Sequence, residues 1–158
     1  MKITKTKLSA LLLSVTALGA VSASALPEFI KAQRAISSSS STLIINISEF
    51  EEPSGQVLVA LFKSEADYEG DVTVRDATQP VKSQTVTVEF DKLSAGEYAY
   101  KLFHDVNGDG KLNTDMLGIP KEPYYFSQDA SDPFSAPEWD EAKFLLPAGT
   151  MKRAVEIN

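Results

Sequence analysis

The chain contains no cysteine and a single histidine, His104. Without cysteine the protein forms no disulfide, holds no cysteine-ligated zinc and carries no lipidated lipoprotein cysteine. One histidine is too few for a typical histidine-based transition-metal site. Stability must therefore come from an apolar core, and any metal that contributes must be one that prefers oxygen ligands.

Basic residues are scarce relative to acidic ones, since 15 Lys and Arg residues face 22 Asp and Glu residues. Three of the lysines lie in the first 25 residues, which contain no acid, so the rest of the chain has 12 basic and 22 acidic residues and a net charge of -10. A strongly negative protein repels nucleic acid and anionic lipid. We therefore expect no nucleic-acid partner, and the charge suits a soluble exported protein that attracts cations.

The long apolar run Leu8–Val21 follows a lysine-rich start and precedes the small residues Ala23-Ser24-Ala25. This order is typical of a secretory signal peptide over residues 1–25, with cleavage after Ala25. The alternative is a membrane anchor, but the run is shorter than the ~20 residues that a spanning helix needs, and a cleavage site follows at once. We expect a periplasmic or secreted mature protein that does not insert into the membrane.

Residues 26–41 end in five consecutive serines and are interpreted as a flexible lead-in, so a single domain is expected over 42–158. That domain has no amphipathic helical stripe of useful length. Alternating apolar residues instead predict strands at 42–47, 56–62, 85–90, 96–103, 144–146 and 151–157. Ser64–Tyr68 is predicted as a helical turn and Val72–Val74 as a short edge strand. The pattern predicts an antiparallel β-sandwich of about seven strands, with a long loop after the central Gly96–Phe103 strand.

In the loop Asp105–Asp115, oxygen-bearing side chains occupy alternate positions before a glycine, Gly110. EF-hand-type loops wrap calcium with this spacing, because alternate side chains and one backbone carbonyl converge on the ion. The predicted calcium ligands are Asp105, Asn107, Asp109, Lys111 through its carbonyl, Asn113 and Asp115. Met116 stands where such loops have a bidentate glutamate, and we expect Asp115 to replace it. The alternative is an Asn/Asp/Gly-rich turn whose side chains cap their own backbone.

His104 precedes Asp105, and a catalytic histidine oriented by a carboxylate is one interpretation. Adjacent residues of a strand point to opposite faces, however, and no nucleophile motif is nearby. We therefore expect a non-enzymatic protein in which His104 braces the loop or bonds a backbone carbonyl.

Aromatic residues are concentrated among acids after the loop, between Tyr124 and Phe144. Exposed rings beside a calcium loop stack on a sugar or clamp a peptide, so Tyr124, Tyr125 and Trp139 are candidate residues for an unknown extracytoplasmic ligand, a glycan or a peptide. The alternative is that Tyr125, Trp139 and their aromatic neighbours cap the end of the core.

Several motifs occur in the order found in the exported bacterial proteins grouped as domain of unknown function 2141. They are Gly55–Phe62, Val88–Leu93, Gly96–Ala99, Phe103–Leu112 and Leu117–Tyr124. The resemblance implies one exported, immunoglobulin-like β-sandwich, similar to transthyretin-like or carboxypeptidase-regulatory-like modules, and no established activity. The family more often has Asp where Asn113 stands and Gly-Phe where Tyr125-Phe126 stands. The first departure removes one charge from the ion site unless Asp115 compensates.

Overall fold

The computed structural model describes residues 40–131 and 135–157, and this part of the chain contains eight strands and two short helices. The strands are β1 (Ser41–Ser48), β2 (Gln56–Phe62), β3 (Arg75–Pro80), β4 (Thr85–Leu93), β5 (Gly96–Asp105), β6 (Tyr124–Phe126), β7 (Phe144–Leu146) and β8 (Gly149–Glu156). The helices are α1 (Glu65–Glu69) and α2 (Trp139–Ala142), and a single 3₁₀ turn covers Ser127–Asp129. The predicted signal peptide, and the lead-in up to residue 39, lie outside the described residues.

The strands form two sheets, as an all-β sandwich requires. The smaller sheet has the order β4-β1-β8, and the larger has the order β3-β2-β5-β6, with β7 pairing to β5 beyond the end of β6. The predicted all-β sandwich is confirmed. One strand pair differs from the antiparallel expectation, because β1 and β8 run parallel in an unbroken register from Ser41↔Gly149 to Ser48↔Glu156.

Alternation of apolar and polar residues explains which faces meet. In β1 the side chains of Leu43, Ile45 and Ile47 are fully buried, and in β4 Val86 and Val88 are buried while Thr85 and Thr87 are exposed. Tyr98, Tyr100 and Leu102 of β5 join the same core from the larger sheet. Each such side chain contributes about 1.5–3 kcal/mol on burial, so this interior supplies most of the stability of a domain without disulfides.

A second, smaller cluster lies on the outer face of the larger sheet. Phe62 of β2 and Ala99 of β5 are paired there and are covered by Tyr68 of α1 and by Trp139 and Ala142 of α2. Helix α1 begins where the sequence predicts a turn, because the Ser64 hydroxyl caps it by accepting from the Asp67 N–H at 3.2 Å. The two helices thus cover one end of this face.

Two strands depart from the sequence prediction. The edge strand is β3, Arg75–Pro80, rather than Val72–Val74, because pairing with β2 starts only at Arg75. Strand β6 was not predicted, since its three residues follow a long loop and carry no alternating pattern. No helix in the described ranges is both long and apolar enough to cross a bilayer.

Candidate functional site

Strand β5 ends at Asp105, whose carboxylate organises the loop that follows. Its Oδ1 accepts hydrogen bonds from the backbone N–H groups of Gly108 (2.7 Å) and Asp109 (3.1 Å). Its Oδ2 accepts from the N–H of Gly110 at 2.8 Å and from Nε2 of Gln56 at 2.7 Å. Asp105 is fully buried, and these four donors fill the acceptor sites of its carboxylate. The loop therefore wraps around a carboxylate that belongs to the chain itself.

The protonation equilibrium of Asp105 reflects this environment. Burial raises the pKa of Asp105, but the hydrogen bonds from Gln56 and from the backbone of Gly110, Gly108 and Asp109 together outweigh burial and leave the pKa below its usual value. The carboxylate is consequently ionised at neutral pH, and its charge is held inside the loop.

Three further predicted ligands meet on the exposed side of the loop. Oδ2 of Asp109 accepts from Nδ2 of Asn107 at 3.3 Å and from Nδ2 of Asn113 at 3.1 Å. Nδ2 of Asn107 also donates to Oδ1 of Asn113 at 2.8 Å. Hydrogen bonds led by that from Asn113 lower the pKa of Asp109, and the nearby charge of Asp105 acts in the opposite direction. Two carboxylates therefore lie close enough to repel each other, with two amides beside them.

The remaining two predicted ligands behave differently. The N–H of Lys111 donates to Oδ1 of Asp109 at 2.9 Å, so Lys111 belongs to the same group through its backbone. Asp115 instead starts a separate turn, where its Oδ1 accepts from the N–H groups of Leu117 (2.8 Å) and Ile119 (2.9 Å). Across residues 40–131 and 135–157 no three His, Cys, Asp or Glu side chains are grouped as a metal site. Any cation held here would need amide as well as carboxylate oxygens.

Glu122 is a loop residue that the sequence analysis missed. Its buried carboxylate accepts from the N–H of Val106 at 3.0 Å and from the N–H of Asn113 at 2.8 Å, joining the start and the end of the loop. Nothing in the spacing of the sequence distinguishes Glu122 from the surface acids around it. Gln56 was missed for a related reason, since it reaches Asp105 only because β2 pairs with β5.

His104 lies beneath the loop and is almost fully buried. Its Nε2 is 2.7 Å from the carbonyl oxygen of Ser54, which is the bond to a backbone carbonyl that the sequence analysis expected. Its ring also meets Phe50 edge to face, with centroids 4.9 Å apart. His104 therefore connects β5 to the turn that precedes β2.

The three candidate ligand-binding aromatics do not share one environment. Trp139 is only 6% exposed and packs against Tyr68, so it belongs to the interior and does not offer a ring to a ligand. Tyr125 is half-buried and stacks on Tyr100 with centroids 6.3 Å apart. Tyr124 is 48% exposed. For Trp139 the structure agrees with the alternative interpretation, in which this residue is buried as a cap, and of the three candidates only Tyr124 is well exposed.

Tyr124 and Tyr125 line a cleft of about 730 Å³ beside the loop. Its other walls include His104 and Glu122, together with exposed acids such as Glu51. The volume lies within the range of small-molecule sites, about 300–1,000 Å³. The cleft is therefore large enough for a ligand of a few rings, and its walls are acidic and aromatic.

Comparison with curated proteins gives no match, and comparison with solved structures gives none either. The transthyretin-like likeness implied by the sequence therefore stays a prediction. A family profile described as "Uncharacterized protein conserved in bacteria (DUF2141)" matches residues 45–154, which include every strand from β2 to β7 and the whole loop. The match covers well over half of the chain, and the protein belongs to this family.

Proposed function

We propose that the protein is an exported, non-enzymatic β-sandwich module whose 105–115 loop binds calcium. One observation carries the proposal: the side chains of Asn107, Asp109 and Asn113 converge within 3.3 Å of one another on the solvent side of the loop. In the calcium-bound loop the two amides turn their oxygens, rather than their NH₂ groups, toward the centre. That rotation breaks the hydrogen bonds that the two amides make, including the bond from the Asp109 N–H to Asn107 Oδ1 at 2.9 Å, and coordination of the ion replaces them.

The charges favour the same ion. Asp105 and Asp109 repel each other, and a divalent cation bound at Asp109 reduces that repulsion while Asp105 keeps its four hydrogen bonds. Calcium accepts a mixed set of carboxylate, amide and carbonyl oxygens, whereas magnesium demands a stricter octahedron and keeps its waters. With only two carboxylates the affinity is expected at about 10⁻⁵ to 10⁻³ M, the range of extracellular modules.

Export and the absence of catalysis rest on separate supports. The N-terminal sequence has the order of a secretory signal, and the family description names no activity. His104, the residue on which catalysis would depend, is buried and already bonded to a carbonyl. Mass spectrometry of the periplasmic and secreted fractions should find an N terminus at Leu26. An intact N terminus in the cytoplasm would contradict export.

Calcium binding is tested by thermal unfolding with and without calcium. At a free calcium concentration 100 times the Kd, the folded state should gain about 2.7 kcal/mol. The Asp109→Ala variant should lose this gain, while Asp76→Ala, which removes an exposed carboxylate from β3, should keep it. Magnesium should give a smaller gain. No stabilisation of the native protein, or equal stabilisation of the Asp109→Ala variant, would overturn the assignment.

A second candidate function is binding of a glycan or peptide in the cleft, and the exposure of Tyr124 favours it. Because Trp139 is buried, its fluorescence is a poor reporter of such binding, and calorimetric titration with oligosaccharides and peptides is the better measurement. Binding should weaken in Tyr124→Ala and persist in Leu145→Ala, whose side chain is exposed on β7 outside the cleft. Equal binding by both variants would exclude this site.

A further inference from the structure

Exposed large apolar side chains are concentrated in one region of the described chain. Met116, Leu117 and Ile119 are 102%, 84% and 58% exposed, and we refer to these three as the apolar tip. Other exposed apolar residues, Leu112 and Tyr124, lie near them in sequence. Contiguous apolar surface of this kind marks an interaction site more often than scattered single residues do.

The apolar tip is carried on an ordered hairpin, residues 113–121. The N–H of Lys121 donates to the carbonyl of Asn113, and the N–H of Asp115 donates to the carbonyl of Ile119, both at 2.8 Å. The Asp115 side chain accepts two more N–H groups inside the turn, including that of Leu117. The backbone is therefore satisfied, while the apolar side chains project into solvent. The apolar side chains of this hairpin are therefore available for contact with an apolar partner.

A groove that fits such a partner lies on the outer face of the larger sheet. Helices α1 and α2 cover one end of this face, and the other end is open over a groove of about 410 Å³. The apolar part of its lining comes from Leu58, Ala60, Phe103, Tyr124 and Phe126. These side chains are half-buried or exposed, so the groove presents apolar surface that no described residue covers.

The groove adjoins the start of the hairpin that carries the apolar tip. Leu112 lines the groove and is followed at once by the hairpin that carries the tip. A twofold interface requires this arrangement, because each subunit must present both complementary surfaces around a single axis. Separated features would give open chains of molecules instead of a closed pair.

Charge is also complementary between the two features. Lys111 and Lys121 flank the hairpin and are exposed, while the groove is lined by the exposed carboxylates of Asp71 and Asp76. Lys101, which also lines the groove, is paired with Asp71 at 2.5 Å, so of these two carboxylates Asp76 is the one left to meet a lysine of the partner copy. A second copy of the chain therefore offers an apolar surface and an acidic rim, which match the tip and its lysines.

We propose that two copies of the protein associate symmetrically, each inserting its apolar tip into the groove of the other. Analytical ultracentrifugation of protein purified from a bacterial host that expresses the full chain should show a reversible monomer–dimer equilibrium. The Leu117→Asp variant should raise the dimer Kd at least about tenfold, because a charge would enter an apolar groove. Leu145→Asp is the matched control, since it makes the same change at an exposed residue that lines neither the groove nor the hairpin, and its Kd should equal that of the native protein.

A charge-reversal experiment tests the pairing directly. Lys111→Glu with Lys121→Glu makes the tip acidic, and Asp76→Lys makes the rim of the groove basic while it keeps the Lys101–Asp71 pair. Each variant alone should be monomeric, and mixing the two should restore dimers that contain one chain of each kind. A monomeric native protein, or failure of the mixture to associate, would overturn the proposal. A monomer that binds lipid vesicles through Leu117 would also overturn it, because the apolar tip would then be a membrane-binding element.

Discussion

Replacing Asp105 by asparagine tests whether the buried carboxylate holds the loop together. The new side chain has the same shape but keeps only one oxygen. If that oxygen retains the bonds to Gly108 and Asp109, the new NH₂ group faces the N–H of Gly110 and the amide of Gln56. Gln56 can rotate its own oxygen into place, but the backbone N–H of Gly110 cannot turn away.

The cost of Asp105→Asn follows from these contacts. The partly buried N–H of Gly110 loses its acceptor, which costs about 1 kcal/mol, and two backbone bonds change from charged to neutral acceptors at up to about 1 kcal/mol each. We expect a total loss of about 3 kcal/mol in the free energy of unfolding. That is a large part of the roughly 5–15 kcal/mol typical of a domain.

Urea unfolding followed by the fluorescence of Trp139 measures this loss, because the single tryptophan is buried in the native state. The m-value should stay unchanged, since the same surface is exposed on unfolding. Glu89→Gln, at an exposed position of β4, is the control and should leave the midpoint unchanged. A loss below about 0.5 kcal/mol for Asp105→Asn would refute the reasoning, because the loss of one acceptor and the weakening of two charge-assisted bonds cost more than that.

Three further predictions concern backbone space and pH. Gly55→Ala should destabilise the protein by at least about 2 kcal/mol more than Gly108→Ala in the same assay. Both glycines have positive φ (64° and 74°), but only at Gly55 would a Cβ lie 2.1 Å from the carbonyl oxygen of Asp105. Because the folded protein lowers the pKa of Asp105, the ionised carboxylate stabilises the fold fully above the unfolded-state pKa of about 3.9, and this stabilisation is lost as the pH falls through the folded pKa. The free energy of unfolding of Asp105→Asn should therefore fall less steeply with decreasing pH than that of the native protein. Burial raises the pKa of Tyr68 to about 12. The stabilisation that neutral Tyr68 gives the fold should therefore be complete below about pH 10 and be lost as the pH rises toward the folded-state pKa. Absorbance titration of Tyr68→Phe should lack one late-ionising phenol.

Local patterns in the sequence predicted the strands that carry the core. Gln56–Phe62 was predicted with its bounds correct, because a Pro-Ser-Gly turn precedes it and strong apolar residues fill it. Strand β3 was misplaced, because the exposed edge sequence Arg75–Pro80 has no apolar alternation, whereas Val72 and Val74 do. Edge strands bury little, so burial leaves little trace in their sequence.

The candidate site was predictable only where neighbours in sequence cooperate. The spacing of Asp105, Asn107 and Asp109 predicted that these residues act together, and in the structure they are joined by hydrogen bonds that cap the loop's own backbone, as in the alternative interpretation; calcium binding stays a prediction. It did not reveal that Glu122 closes the loop, because that contact depends on how the chain returns after the hairpin. The position of Trp139 depends likewise on Phe62 and Ala99, which are distant in sequence and meet it only in the folded state.

The parallel pairing of β1 with β8 has a consequence for how the protein is made. Strand β1 is the middle strand of its sheet, and one of its two partners is the last strand of the chain. While the ribosome is still synthesising the polypeptide, half of the backbone donors and acceptors of β1 have nothing to pair with. Contacts so distant in sequence form slowly, typically in milliseconds to seconds. A nascent chain of this topology therefore completes its smaller sheet only after residues 149–156 have been synthesised.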